Sequence, residues 1–197
     1  MKTSSAPATL KPILFNTEMV RAILAGEKTC TRRIAKSEKP PFVVGDILYV
    51  RETWCINTFG THYRADWPNG ACPEMDCDDQ WHPSIHMGKD IARIFLRVKS
   101  VERGPLRGME VADFQKEGVK PQNRPSGCKC AWAQEGCMER PCENRDAYEW
   151  WRYMTSFRKL WDSTLPAASV RTLGWKANPD VWVIEFERTE RPESVKD

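Results

Sequence analysis

The chain is 197 residues long, with 41% hydrophobic and 29% charged residues and a formal net charge of +3. That balance excludes an intrinsically disordered polymer, and the length suffices for one domain with a core and an inserted module. The apolar runs are too short to span a bilayer and no secretion signal opens the chain, so a cytoplasmic protein with no membrane partner is expected.

Residues 1–9 are small and polar and are expected to form a flexible tail, as is 191–197; residues 10–190 read as a single domain. "PILFN" (12–16) reads as a short strand. Thr17 is placed to cap a helix in which Met19, Val20, Ile23 and Leu24 share a face, and Gly26 is a natural stop. Just beyond it, "GEKTCTRR" carries Lys28, Thr31, Arg32 and Arg33. Lys28 and Thr31 would be neighbours on a continuing helical turn but lie on opposite faces of a flat strand. Both options are open at this stage. Gly45-Asp46 predicts a turn into a strand over 47–54, with "THYRAD" (61–66) as its partner. Arg51, Glu52 and Arg64 there read as cross-strand ion pairs. A long strand is expected over 92–106 and a short helix over 107–119 with Val111 and Phe114 inward. The clearest helix spans 146–165, where Tyr148, Trp151, Met154, Phe157, Leu160 and Trp161 form a stripe for the core. "DVWVIEFERTE" (180–190) is the last strand. Short strands, a few helices and one cysteine-rich insertion at about 119–146 define an α+β domain around a small barrel-like sheet.

The chain has eight cysteines, and without a secretion signal disulfides are the weaker reading. Cys128, Cys130, Cys137 and Cys142 fall in "CKCAWAQEGCMERPC". Two close thiols followed by two more could wrap one tetrahedral zinc and organise a segment too polar to fold by burial. A second candidate set is Cys72, Cys77, His82 and His86, and the two sets could pool ligands. Free thiols in a surface loop are the alternative.

A threonine hydroxyl is a poor nucleophile until a base removes its proton, and a lysine can be that base where its surroundings disfavour the ammonium. Lys28 and Thr31 are such a pair if they meet, with Arg32 and Arg33 as neighbouring cations. A carboxylate from elsewhere could orient the lysine or carry the proton to a leaving amine.

"KPILFNTEMVRAILAGEKTCTRR", "VVGDILYVRETW", "YRAD", "HPSIHM" and "ARIFLRVKSV" resemble the ASCH domain in the form found in bacteriophage and prophage proteins, and "FRKLWDS" and "NPDVWVIEFER" resemble its end. The family's Gly-x-Lys-x-x-Thr-x-Arg element falls on Gly26, Lys28, Thr31 and Arg33. The resemblance implies a PUA-like small β-barrel flanked by helices, with a cleft associated with RNA or modified nucleosides. It implies the host bacterial cytoplasm if the chain is phage-encoded. One bacterial branch is an amidohydrolase that removes the acetyl group from acetylcytidine, using a lysine and threonine of this element and a later glutamate. Here these fall on Lys28, Thr31 and, in "ADFQKEG", Glu117.

The function that follows is amide hydrolysis of an N-acylated cytidine-type nucleoside by Lys28, Thr31 and Glu117, with no cofactor in the chemistry. Arg33 or backbone amides would meet the oxyanion, Trp54 or Tyr63 would stack the base, and Ser84 and His86 would line the cleft. The alternatives are a non-catalytic RNA- or DNA-binding module, in which "TRR" and the cations of 93–107 touch phosphates, or a nuclease. A metal-dependent nuclease would need clustered acids, and no Asp/Glu group has that spacing.

Overall fold

The computed structural model describes residues 9–67, 69, 80–122 and 145–193. The strands are β1 (Leu10–Leu14), β2 (Cys30–Ile34), β3 (Ile47–Arg51), β4 (Trp54–Asn57), β5 (Gly60–Tyr63), β6 (Phe95–Pro105) and β7 (Asp180–Thr189). The helices are α1 (Thr17–Leu24), α2 (Val111–Lys116), α3 (Arg145–Ser163) and α4 (Val170–Leu173).

Five strands make one sheet in the order β1-β3-β6-β7-β2, parallel at β1–β3 and antiparallel elsewhere. β4 and β5 form a separate hairpin. β6 and β7 are the spine, paired from Phe95↔Thr189 to Pro105↔Asp180 with a bulge between Val98 and Ser100. Strand alternation in β7 builds two cores at once. Trp182, Ile184 and Phe186 enter a cluster with Val20, Ile23, Leu48 and Leu96, against α1. Val181 and Val183 face the other way, to Phe114, Phe157, Trp161 and Trp175. Phe114 is fully buried, with its ring centroid 5.5 Å from Phe157 and 6.5 Å from Trp175.

The fold is mixed α+β, as expected, but the expected barrel is not closed. β1 and β2 remain the two edges, and among the described residues no ladder joins them. A side chain spans the gap instead: Arg33 of β2 donates from Nη2 to the carbonyl of Leu14, at the end of β1, over 2.8 Å.

Several boundaries differ from the sequence reading. Asn16, not Thr17, caps α1, its side chain accepting from Met19 N at 2.9 Å. The strand expected over 47–54 breaks at Glu52, whose buried carboxylate pairs with Arg93 at 2.9 Å instead of with Arg51 or Arg64. The partner of β4 is β5, and 64–66 form a 3-10 turn. On α3 the buried face runs through Trp150, Tyr153, Phe157 and Trp161, so the stripe is one position off at Trp151. Cys72, Cys77, Cys128, Cys130, Cys137 and Cys142 lie outside the described residues.

Candidate active site

Gly26 ends α1 with φ 75°, and the amides of Glu27 and Lys28 both donate to the carbonyl of Ala22, at 2.9 and 3.0 Å. The chain then runs extended. Thr29 N donates to Lys116 O at 2.8 Å, and Lys28 forms an isolated antiparallel bridge with Glu117. Glu117 follows the last turn of α2 as its C-cap. Gly118 leaves that turn at φ 72°, where a Cβ would sit 2.8 Å from Ala22 Cβ and 2.9 Å from Lys28 Cβ. A glycine is required here both by the left-handed backbone and by the close approach of three segments. So the lysine and the glutamate, distant in sequence, are set side by side by backbone pairing before their side chains meet.

Their side chains form a buried ion pair. Lys28 Nζ is 2.5 Å from Glu117 Oε2, with the two side chains 0% and 4% exposed. Nζ also donates to Cys30 O at 2.8 Å and to Glu117 O at 3.1 Å, so three acceptors occupy the three donors of an ammonium. The other carboxylate oxygen, Oε1, accepts from Arg32 Nη1 at 3.1 Å, and Arg32 Nη2 lies 3.5 Å from Asp113 Oδ1. The sequence marks Arg32 only as a nearby cation. The structure makes it the group that fixes the Glu117 carboxylate, and β2 alternation puts it on the same face as Cys30. The Phe15 ring lies beneath two cations, 5.6 Å from Lys28 Nζ and 5.3 Å from the Arg33 guanidinium.

Thr31 is buried and lines a cavity of about 430 Å3 with Glu117, Arg33, Phe157 and Trp161. Lys28 is not in that wall, so its ammonium communicates with the cavity through Glu117. The question of helical turn or strand is thus answered as strand, and Thr31 falls on the strand face opposite Cys30 and Arg32. Among the described residues no hydrogen bond joins Lys28 to Thr31. Cys30 is the other candidate nucleophile nearby, and burial, with the Glu117 charge, pushes its thiol up to about 12. A thiol held protonated is inert. Burial draws the Arg33 guanidinium below its ordinary value, with Glu117 opposing, yet an arginine remains charged at any working pH.

A second cavity of about 680 Å3 continues from the first, sharing Met19, Arg33, Ile34, Lys36 and Thr164. Its walls are β1 (Pro12 to Leu14) and β2 (Arg33, Ile34), so it occupies the gap between the two unpaired sheet edges. Ser84 lines it. Trp54, Tyr63 and His86 line neither cavity. Trp54 stacks on His82 at 4.8 Å. Tyr63 donates its hydroxyl to Ile91 O at 2.7 Å beneath the Arg93 guanidinium, 3.9 Å from the ring, and burial raises its phenol. Much of the cationic run over 93–107 is internally paired: Arg93 with Glu52 and Asp66, Lys99 with Glu187, Arg103 with Glu38 and Asp180. Among the described residues no three His, Cys, Asp or Glu side chains converge as a metal site, and no helix is long and apolar enough to cross a membrane.

What fold and site define is a class: a mixed α+β protein with a buried lysine–glutamate pair beside a cavity that continues into the gap between two sheet edges. No protein-family model matches the chain, and no curated protein matches it. Among solved structures it is similar to an ASCH domain from Lactobacillus crispatus JV V101, at 10% identity and a TM-score of 0.42, over 93% of this chain and 81% of that one. It is similar also to a protein of Enterococcus faecalis V583 from the DUF984 family, at 10% identity and a TM-score of 0.42, over 95% and 79%. Neither likeness assigns the chain to a family, and the chemistry rests on its own side chains.

Proposed function

We propose that this chain is an ASCH-type, PUA-like protein that hydrolyses the amide of an N-acylated cytidine-type nucleoside, with Lys28, Thr31 and Glu117 as its working groups. The observation that carries the reading is the 2.5 Å contact between Lys28 and Glu117, removed from solvent and adjoining a cavity that Thr31 also lines. Two charges out of water are expensive, and such pairs cluster at functional sites.

The contact supplies a route for the proton. Lys28 passes one proton from Nζ to Glu117 Oε2, becoming a neutral base while Glu117 becomes a neutral acid. Thr31 Oγ gives its proton to Lys28 by way of the Glu117 carboxyl, which lines the cavity with Thr31, as it attacks the acyl carbon. Arg33 faces the oxyanion that forms. The carbon–nitrogen bond then breaks, and the departing amine takes the proton from Glu117. Water, losing a proton to Glu117, cleaves the threonine ester, and Thr31 Oγ regains its proton from Lys28 by the same relay. Glu117 then returns its proton to Lys28, which restores the ion pair, and the carboxylic acid and the free amine leave with every proton accounted for. Arg32 occupies Oε1 throughout, so only Oε2 takes part.

The experiment is release of acetate from acetylcytidine by the whole chain. Thr31→Ala and Lys28→Met are each expected to lower kcat by at least about 100-fold, the scale of a lost general base or nucleophile. Turnover that survives both substitutions would remove the triad. Salt-sensitive oligonucleotide binding with no turnover of any acylated nucleoside would favour a binding module instead.

A further inference from the structure

We infer that the second cavity is a phosphate subsite, so that the substrate is a phosphorylated nucleoside unit and not a free nucleoside; this rests on the nucleoside reading of the first cavity. Three cations line it, Arg33, Lys36 and Lys39, and no carboxylate does. Of the two acids in the loop 35–46, Glu38 is drawn away to Arg103, its Oε2 accepting from Nη1 at 2.7 Å, and Asp46 is buried against Thr9 and Lys11. Lys36 and Lys39 are exposed, and among the described residues neither has an ion-pair partner. A concave wall with positive charges and no counter-charge concentrates anions.

The anion is a phosphate ester in particular because of what adjoins it. Phe42 and Trp182 supply flat apolar surface in the same cavity, and Ser37 and Ser84 add hydroxyl groups. Lys36 and Arg33 belong to both cavities, so one molecule can place its acyl-bearing end near Thr31 and Glu117 and its negative end among the lysines. The volume of about 680 Å3 admits a sugar phosphate together with part of a neighbouring residue. The phosphate could belong to a free mononucleotide or to an RNA strand, and the chemistry of the subsite is common to both.

The test measures binding with ligands that carry no acyl group, so it stands apart from turnover. Cytidine, cytidine 5′-monophosphate and a short single-stranded oligocytidylate are titrated calorimetrically against the whole chain and against a Lys36→Ala/Lys39→Ala variant, at low and high salt. Wild type is expected to prefer the monophosphate over cytidine by about tenfold or more, the scale of charge-assisted contacts. In the variant that preference should fall below about threefold. Both lysines are exposed, so an unchanged unfolding midpoint certifies the fold. Tighter binding of the oligonucleotide than of the monophosphate, lost in the same variant, assigns the phosphate to a strand; the reverse order assigns it to a free nucleotide. Equal affinities for cytidine and its monophosphate in wild type, a preference untouched by the substitutions, or no binding of either phosphate-bearing probe would overturn the subsite. Failure of acetate release, with the phosphate preference intact, would overturn only the hydrolysis.

Discussion

Glu117 accepts from two cations with its two oxygens, Lys28 at Oε2 and Arg32 at Oε1. Removing that carboxylate leaves both cations buried without a close counter-charge, Lys28 with two backbone carbonyls and the Phe15 ring, Arg32 with Cys30 Sγ and Asp113 at 3.5 Å. Glu117→Leu is therefore expected to destabilise the fold by about 3–5 kcal/mol, the cost of stranding a buried charge. Lys28→Met alone should cost less, because Arg32 still neutralises Glu117. The informative variant is the double one. With both members of the pair apolar, the desolvation cost disappears from both sides, and the double substitution should cost clearly less than the sum of the singles. Equilibrium unfolding in denaturant measures all three. Additive costs would mean that the two side chains do not interact, whatever their separation.

At the scale of elements, the site depends on α2 presenting Glu117 to the turn after α1, and Gly118 is where that docking is tightest. Gly26 offers the control, since it has nearly the same φ (75° against 72°) but nothing within 4 Å of where a Cβ would sit. Gly26→Ala should cost about 1–2 kcal/mol, the backbone strain of a left-handed residue. Gly118→Ala adds overlap with Ala22 and Lys28, a further ~1–3 kcal/mol on the scale of overpacking penalties. It should also lower acetate release, which Gly26→Ala should leave closer to wild type. Unfolding midpoints and initial rates for the two variants check this, and equal effects would show that the α1–α2 contact is not tight. The elements themselves are largely legible in the sequence. "DVWVIEFERTE" is legible as the last strand, though not its burial on both faces, and the apolar spacing on α3 marks a core helix. What is not legible depends on partners far along the chain. β3 stops at Glu52 because Arg93 holds the carboxylate, and nothing local to "VRETW" signals that. Likewise the pairing of Lys28 with Glu117 comes from family resemblance, and the part played by Arg32 and Asp113 has no local signal at all.

Across the whole molecule, the parallel edge strand β1 is tied down by one buried acid at the start of β3. Asp46 accepts from Thr9 Oγ1 at 2.5 Å, Lys11 Nζ at 2.7 Å and Val43 N at 2.9 Å. Burial alone would push its carboxyl up, but these donors outweigh it and hold the carboxyl below the ordinary range. A carboxylate depressed in the folded state stabilises the protein above its unfolded value, near pH 4, and that contribution is lost as pH falls through the folded value. Glu52 has the opposite sign. Burial raises it despite Arg93, so its charged form in the fold is disfavoured relative to the unfolded chain, and acidification relieves that. The two buried acids therefore act with opposite sign in adjoining windows, Glu52 above about pH 4 and Asp46 below it. Asp46→Asn is expected to cost about 1–3 kcal/mol at neutral pH, from weakened charge-assisted bonds. It should also flatten the loss of stability below about pH 4, because the group responsible is gone. Glu52→Gln should instead abolish the gain in stability that wild type shows as pH falls towards about 4, and leave the loss below that pH unchanged. Thermal unfolding between neutral pH and about pH 3 distinguishes the two. If Asp46→Asn unfolds along the same pH curve as wild type, merely displaced, then the attachment of β1 does not depend on the charge of Asp46, and the edge that walls the second cavity is held by the β1–β3 ladder alone.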